Sequence, residues 1–529
     1  MKMKKILSLG LIFMAGNLAA QNSYTNAEIS STSDLIGTAR YVSMGGALGA
    51  LGADISAIGS NPAAIGLYRK NDVALTAGVL WPKDKTYNLG DNLTHGTFDQ
   101  LGFVTAFKVG GENIQFVNFA FNYQKKFNFN NAYFADCANT NGLSQADQLA
   151  SISEYYYTPD YPVSEYKNLQ GTAWNAYCFD EDDIGYYNAY GSQSNEYANY
   201  TTGSSQAYDM NISFNSKDRY YFGFTLGCEN VRYSRWSTYT EFRDGNDDYP
   251  IMDYTLYNDQ RIDGFGINLK AGTIIRPLEE SSFRVGLAVE TPTWYSLKSS
   301  CLHSIDSRFD EDGYYCDYYT NHPGYDDSYL EYRLRTPWRA RFSMGSTVDK
   351  YLAWGAEYEY ANYGKNNMYY TEDDNFGGSR RVHDNEMNAL TKDCFTGQHT
   401  LKLGVEAKPA DAWAFRLGYN FISSPYKDGA YLDSHIDSYA MDYMTSTSFM
   451  NLGATNILAL GIGWKAKHFY ADLTYKIRNQ KGDFYAFDDS FSSEPTFVYD
   501  NPGVAYQKLD PTEVNLTRHQ VSLTLGVRF

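Results

Sequence analysis

The chain has 529 residues, a formal charge of −18, and aromatic side chains at 16% of its positions. So large an acidic excess excludes nucleic acid as a partner, because a phosphate backbone is held by lysine and arginine. Beyond the first twenty residues no apolar run reaches the length of about 18 that a membrane helix needs, so a helical membrane protein is excluded as well.

Residues 1–20 predict a secretory signal. Lys2, Lys4 and Lys5 precede an apolar run from Ile6 to Leu18, and Ala19-Ala20 offers small residues for cleavage. Residues 21–71 do not alternate as a strand does. They are rich in Gly, Ala and Ser, above all from Gly45 to Ala53, and Asn61-Pro62 ends any short helix there. A compact segment of this size, joined directly to a first strand, is expected to be a plug.

From residue 72 onward fourteen alternating segments follow, near 72–81, 98–109, 113–125, 206–216, 219–235, 262–276, 281–297, 330–348, 350–362, 396–408, 411–422, 454–466, 468–480 and 517–529. In the last of them Val521, Leu523, Leu525, Val527 and Phe529 share one face, while Ser522, Thr524, Gly526 and Arg528 share the other. A side-chain period of two means a strand with one apolar face. Short links, such as Gly110–Glu112 and Lys217–Asp218, alternate with long ones, of which 126–205 is the longest. That parity predicts a 14-stranded antiparallel transmembrane β-barrel over 72–529, all-β, with an N-terminal hatch (plug) at 21–71 and long extracellular loops. Aromatic girdles at two membrane interfaces account for part of the aromatic excess. The terminal aromatic Phe529 resembles the assembly signal of outer-membrane barrels.

The stretch from Ser30 to Leu67 resembles the hatch of the long-chain fatty-acid transporter (FadL/TodX) family. The matching residues are Ala39, Arg40, Met44, Gly45, Gly46, Ala47, Ala53, Asp54, Ala57, Asn61, Pro62 and Ala63. Ile55 stands where the family has a second acidic residue. Gly264 to Thr293 resembles a strand–turn–strand unit of the same family. The resemblance implies fourteen strands, which agrees with the segment count. It also implies an outer-membrane channel for fatty-acid-like hydrophobic molecules. Such a ligand is captured in the outer loops, passes the hatch, and leaves laterally through the barrel wall.

Within that frame, Arg40, Gly45, Gly46, Asp54, Asn61, Pro62 and Ala63 form the hatch motif. Strand three shows a phase slip, with Ile114 and Phe116 on the face opposite Val117, Phe119, Phe121 and Tyr123. A bulge produces such a slip, and the family opens its wall at this strand, so Ile114, Phe116 and Val117 are the candidate lateral gate. Loop 126–205 is the candidate capture loop through Tyr155, Tyr156, Tyr157, Trp174, Tyr186 and Tyr187, whose rings offer large contact area with a polar handle. Lumen-facing charges such as Lys270, Glu290, Arg341, Glu357, Lys402, Glu406, Arg416 and Asp472 are expected to pin the hatch, with Arg40 and Asp54 as partners.

Enzymatic function is not expected, since no G-x-S-x-G occurs and the histidines are scattered. No cofactor or metal site is expected. The six cysteines show no paired spacing, and the acidic clusters at 180–183, 244–248 and 310–312 lack calcium-loop spacing. Two alternatives stand beside the channel. One is a haem receptor using His95, His303, His322, His383 or His435. The other is a structural or adhesive barrel. The expected partners are a hydrophobic ligand, outer-membrane lipid and lipopolysaccharide, and the barrel-assembly machinery, with the chain a monomer.

Overall fold

In the computed structural model the described residues are 21–82, 93–155, 162–163, 168–181, 187–189, 192–243, 251–310, 315–320, 329–373, 379–436, 438, 440, 443–488 and 510–529. The signal at 1–20, Tyr156, Tyr157, Tyr186, His322 and the acidic cluster at 244–248 lie outside them.

The wall is a closed antiparallel barrel of fourteen strands. In chain order they are β1 (Asp72–Pro82), β2 (His95–Lys108), β3 (Phe116–Asn128), β4 (Ser194–Ser216), β5 (Tyr220–Phe242), β6 (Ile251–Ile275), β7, β8, β9 (Leu352–Asn362), β10 (Gly397–Ala410), β11 (Trp413–Ile422), β12 (Phe449–Lys465), β13 (Phe469–Tyr485) and β14 (Arg518–Arg528). Two of them come in halves. β7 is Arg284–Glu290 plus Trp294–Asp310, and β8 is Tyr329–Arg335 plus Arg339–Val348. Each strand pairs with the next, and β14 pairs with β1 from Asp72↔Arg528 to Pro82↔Arg518, so no edge is left open.

The halves are separated at Pro292 and Pro337, which cannot donate to a ladder. Side-by-side threonines bridge the break. Thr336 N–H donates to the Thr293 carbonyl at 3.1 Å, and Thr293 N–H donates to Thr336 Oγ1 at 2.8 Å.

The outward face is apolar and open. Phe224 is 55% exposed, Leu269 53% and Leu525 52%. A band of this kind running round a closed cylinder faces lipid, so the chain is a transmembrane barrel of the bacterial outer-membrane type. The inward face is polar, as in β14, where Gln520, Ser522 and Thr524 are buried.

Four strands run well past their expected ends. β4 begins at Ser194, β5 reaches Phe242, β6 begins at Ile251, and the upper half of β7 reaches Asp310. Above the lipid band the outward positions mix the polar Ser234, Thr238, Asp259 and Arg261 with Trp236 and Tyr257, so the sharp apolar–polar contrast disappears while the backbone ladder continues. Helices α3 (Gln145–Tyr155), α4 (Leu169–Asn175) and α5 (Asn385–Cys394) cap this outer end over an apolar core that includes Leu149, Ile152, Tyr254, Phe395 and Phe487.

The leading segment lies inside the cylinder. It starts as α1 (Gln21–Ser31), then α2 (Ala39–Ser43), then two 3-10 turns at Ile55–Gly59 and Pro62–Leu67. A row of glycines seats it. Gly345, Gly355, Gly404 and Gly418 are register partners across β8 to β11. A Cβ added at Gly355 would lie 2.1 Å from Ala47 O, at Gly404 2.2 Å from Met44 O, and at Gly418 2.0 Å from Gly45 N. A second pair, Gly223 and Gly272 on β5 and β6, receives Asn61 and Pro62 in the same way. The strands therefore need no side chain at the positions where the segment's backbone lies against the wall.

Candidate functional site

The hatch motif residues converge on the wall. Thr38 Oγ1 accepts from Tyr41 N–H and starts α2. Asp54 caps the first 3-10 turn by accepting from Ser56 N–H at 3.0 Å, and it also takes a hydrogen bond from Thr38 Oγ1 at 2.8 Å. Asn61 caps the second by accepting from Ala63 N–H at 3.0 Å, and it donates to the Thr273 carbonyl at 3.2 Å. Gly45 and Gly46 both have positive φ, 63° and 79°, where a side chain would be strained.

Arg40 does pair with a wall carboxylate, Glu406, at 3.2 Å, and it holds the Ala53 carbonyl at 2.9 Å. Asp54 differs from the expectation. Its oxygens are taken up by capping, and no ion pair joins it to the wall among the described residues.

The lumen charges form pairs. Lys270 meets Asp209 at 2.8 Å, Arg341 meets Glu290 and Glu359 at 2.7 Å each, and Lys402 meets Glu357 at 2.7 Å. Arg416 bridges Glu406 at 2.6 Å and Asp472 at 2.5 Å, and Lys476 meets Asp34 at 2.8 Å. Pairing of this kind offsets the cost of taking the charges out of water. The same pairing makes the middle of the lumen a poor path for an apolar solute.

Above that network sits a cavity of about 80 Å³. Its apolar lining includes Tyr24 from α1, Phe127, Phe129 and Tyr133 beside β3, and Tyr426 and Phe449 opposite. Arg235, Arg478, Arg518 and Glu28 also reach it. Burial raises the Glu28 carboxyl above the usual carboxylate range, against the pull of Arg235. Phe127, Phe129 and the three arginines were not singled out from the sequence. The phenylalanines sit just past the expected end of strand three, and the arginines look like any other lumen charge.

Beside this cavity the wall is thinned. The β2–β3 ladder runs from Lys108↔Phe116 up to Gln100↔Gln124 and stops there. A bulge in β2 lies at Asp99, between Phe98 and Gln100, and one in β3 lies between Lys125 and Phe127. The bulged Lys126 turns inward: its carbonyl accepts from Asp34 N–H of the leading segment at 3.3 Å, and its Nζ meets Glu229 at 2.8 Å. Gln124 Nε2 donates to the Ile36 carbonyl at 2.5 Å.

Above the ladder's end, side chains join the two strands. His95 Nε2 lies 3.0 Å from Asn128 Nδ2 and 3.1 Å from Asn130 Nδ2. Both amides are oriented, because Asn128 Oδ1 accepts from Asn130 N–H and Asn130 Oδ1 accepts from Gly203 N–H. His95 is thus a bond between strands, not a loop ligand.

The expected gate residues sit elsewhere. Ile114 precedes β3 in the turn and is exposed, and Phe116 lies under the Arg69 guanidinium at 4.7 Å. From Phe116 to Gln124 the ladder is unbroken on both sides of β3. The slip in phase therefore marks the end of the strand at its short turn. The irregularity lies at the other end of β3.

Of the expected capture residues, Tyr155 is exposed at the end of α3 and packs edge-on against His435 at 5.3 Å. Trp174 in α4 packs against the cap core. Tyr187 falls in the short strand Tyr187–Ala189. Phe529 closes the barrel seam, with its N–H donating to Asn71 O at 3.2 Å.

The described histidines among those weighed for haem do not converge. His303 is buried against Thr172 at 2.7 Å, His435 bonds Ser151 at 3.1 Å, and His383 bonds Asn367 at 3.0 Å on the outer wall. Among the described residues no group of three His, Cys, Asp or Glu side chains could hold a metal ion. Cys137, Cys178, Cys228, Cys301 and Cys394 are free thiols.

No family model matches the chain, and no curated protein does. Solved structures do. A FadL homologue of Pseudomonas aeruginosa superposes with a TM-score of 0.51 at 12% identity, over 94% of this chain and 98% of that one. The CymD monoaromatic hydrocarbon channel gives 0.46 at 10% identity, over 94% and 99%. The Pseudomonas putida toluene transporter TodX gives 0.45 at 9% identity, also over 94% and 99%. The chain has a FadL-like fold.

Proposed function

We propose that the chain is an outer-membrane channel for hydrophobic small molecules, with capture at the outer cap and lateral exit through the wall between β2 and β3. The observation that carries this reading is the coincidence of an aromatic cavity with a stretch of wall that lacks a backbone ladder. Phe127 and Phe129 line the cavity, and they follow directly on the β3 bulge. Among the described contacts, a solute leaving sideways above the ladder's end breaks the His95 side-chain bonds and no backbone ladder between β2 and β3. One leaving downward has to pass the ion pairs and the seated hatch.

The hatch is tied to this exit through Asp34 and Ile36, which hold Lys126 and Gln124. A shift of the hatch therefore pulls on the bulged strand. Tyr155, Trp174 and the further tyrosines of loop 126–205 serve as the capture surface, and Phe529 as the assembly signal.

The test is uptake. Cells expressing the chain are given labelled decanoate and toluene, and compared with cells carrying cysteines at positions 95 and 128 bridged by a short bis-methanethiosulfonate cross-linker, which forms a disulfide with each thiol and releases methanesulfinate. Uptake that falls on bridging and returns on cleavage of a reducible bridge supports the reading. Uptake of both compounds that ignores the bridge removes the lateral exit. Uptake equal to that of cells lacking the chain removes the channel.

A further inference from the structure

We infer that the cavity beneath α1 binds a compact organic anion of the aryl-carboxylate class through Arg478 and Arg518. This rests on the channel reading above and narrows what enters it.

The first argument is charge. Three cations, Arg235, Arg478 and Arg518, line the cavity, and one carboxylate, Glu28, does. Arg478 is 3% exposed and Arg518 is 4% exposed. Their hydrogen bonds go to neutral groups. Arg478 Nη2 donates to Gln480 Oε1 at 2.8 Å and to Thr455 Oγ1 at 3.3 Å, and Arg518 Nη1 donates to the Asn128 carbonyl at 2.7 Å. Asp34, the nearby carboxylate, is bonded to Lys476 instead. The lumen cations Lys270, Arg341, Lys402 and Arg416 each have a carboxylate within 2.8 Å. Asp34 acts on both guanidinium groups only from beyond contact distance, so neither is neutralised directly, and an anion supplied by the ligand offsets the cost of burying them.

The second argument is open donors. Arg478 Nε has no hydrogen-bond partner, and neither do Arg235 Nε and Nη2. Arg235 Nε and Nη2 form a side-on fork that matches the two oxygens of a carboxylate, and Arg478 Nε adds a further open donor in the same lining.

The third argument is shape. Both guanidinium groups stack on Phe127, Arg478 at 5.4 Å and Arg518 at 4.9 Å from the ring centroid. Tyr133, Tyr233 and Phe129 continue the aromatic surface. The cavity measures about 80 Å³. A dry cavity of roughly 150 Å³ takes up a benzene ring. The cavity holds about half of that, so a single ring enters only if the lining side chains move, and an extended alkyl chain has to displace α1 as well.

The experiment is calorimetry on the full chain in lipid nanodiscs, which avoids detergent in the cavity. Benzoate is compared with its neutral isostere benzamide, with toluene, and with decanoate. Benzoate is expected to bind at least tenfold more tightly than benzamide or toluene, and more tightly than decanoate. R478Q and R518Q should each weaken benzoate at least tenfold and leave toluene unchanged, with R478K restoring most of the loss.

Benzamide binding as tightly as benzoate overturns the inference without any variant. So does benzoate binding that ignores both glutamine substitutions. Decanoate binding more tightly than benzoate overturns the compact-ligand part. If none of the four compounds binds or crosses, the channel reading itself has failed.

Discussion

Gly418→Ala should unseat the hatch without opening the barrel. A Cβ at 418 would stand 2.0 Å from Gly45 N, 2.6 Å from Met44 C and 2.7 Å from Gly45 Cα. Ordinary contact begins near 3.4 Å, so the hatch backbone has to retreat by about 1.4 Å. It cannot do so freely, because its other side is filled: the same probe at Gly46 meets Leu35, Tyr41 and Lys402 within 3.3 Å. Overpacking of this kind typically costs about 1–3 kcal/mol. Alanine is a better strand residue than glycine by roughly 0.5–1 kcal/mol, so the wall loses nothing. At about 1.4 kcal/mol per factor of ten, the unseated population rises roughly 5- to 150-fold. Hydrogen exchange of peptides covering 34–68 measures that population in micelles, and conductance across planar bilayers measures its consequence. Gly59→Ala is the control, since nothing lies within 4 Å of a Cβ there. If G418A exchanges and conducts as G59A does, the glycine row is not a seat. If its barrel melts early instead, the wall and not the hatch absorbs the clash.

Asp54→Ala removes the acceptor for Thr38 Oγ1 and Ser56 N–H, and should loosen 34–60 by about 1–2 kcal/mol in the same exchange assay. His95→Ala deletes the side-chain bond between β2 and β3 and should raise the exit rate of a preloaded hydrophobic dye, while heat-modifiable gel mobility stays native. The outer cap should depend on pH through Asp147. Burial, with the Glu241 carboxylate beside it, pushes its carboxyl up to about 7 from 3.8. Because the folded value is the higher one, the stabilisation is complete below about pH 4 and is lost as pH rises through 7. Protease resistance of the cap should fall over that window, and Asp147→Asn should flatten the profile. Deletion of Phe529 removes the backbone bonds with Asn71 at the seam and should lower the yield of assembled barrel. Unchanged yield counts against the assembly role.

How much was legible follows from where amphipathic contrast exists. All fourteen strands could be read, since lipid on one side and a polar lumen on the other impose a period of two, as Val521 to Phe529 display. The ends of β4, β5, β6 and β7 could not, because above the membrane both faces mix polar residues with aromatic or apolar ones, and only the ladder shows that the strand continues. The compactness of the segment ahead of β1 could be read from its glycines and from Asn61-Pro62, which begins its second 3-10 turn.

Sequence by itself thus determined the barrel, its strand order and the segment that enters it, because these depend on local side-chain alternation and turn chemistry. Tertiary structure alone decided the rest. Gly345, Gly355, Gly404 and Gly418 come from four strands and form one row only through register. The ladder is irregular at Lys126 and not near Ile114, because the β2 and β3 bulges fall side by side. Among the described residues Arg478 and Arg518 differ from their neighbours in making no ion pair with a carboxylate, and that is a matter of which side chains closure of the cylinder brings together.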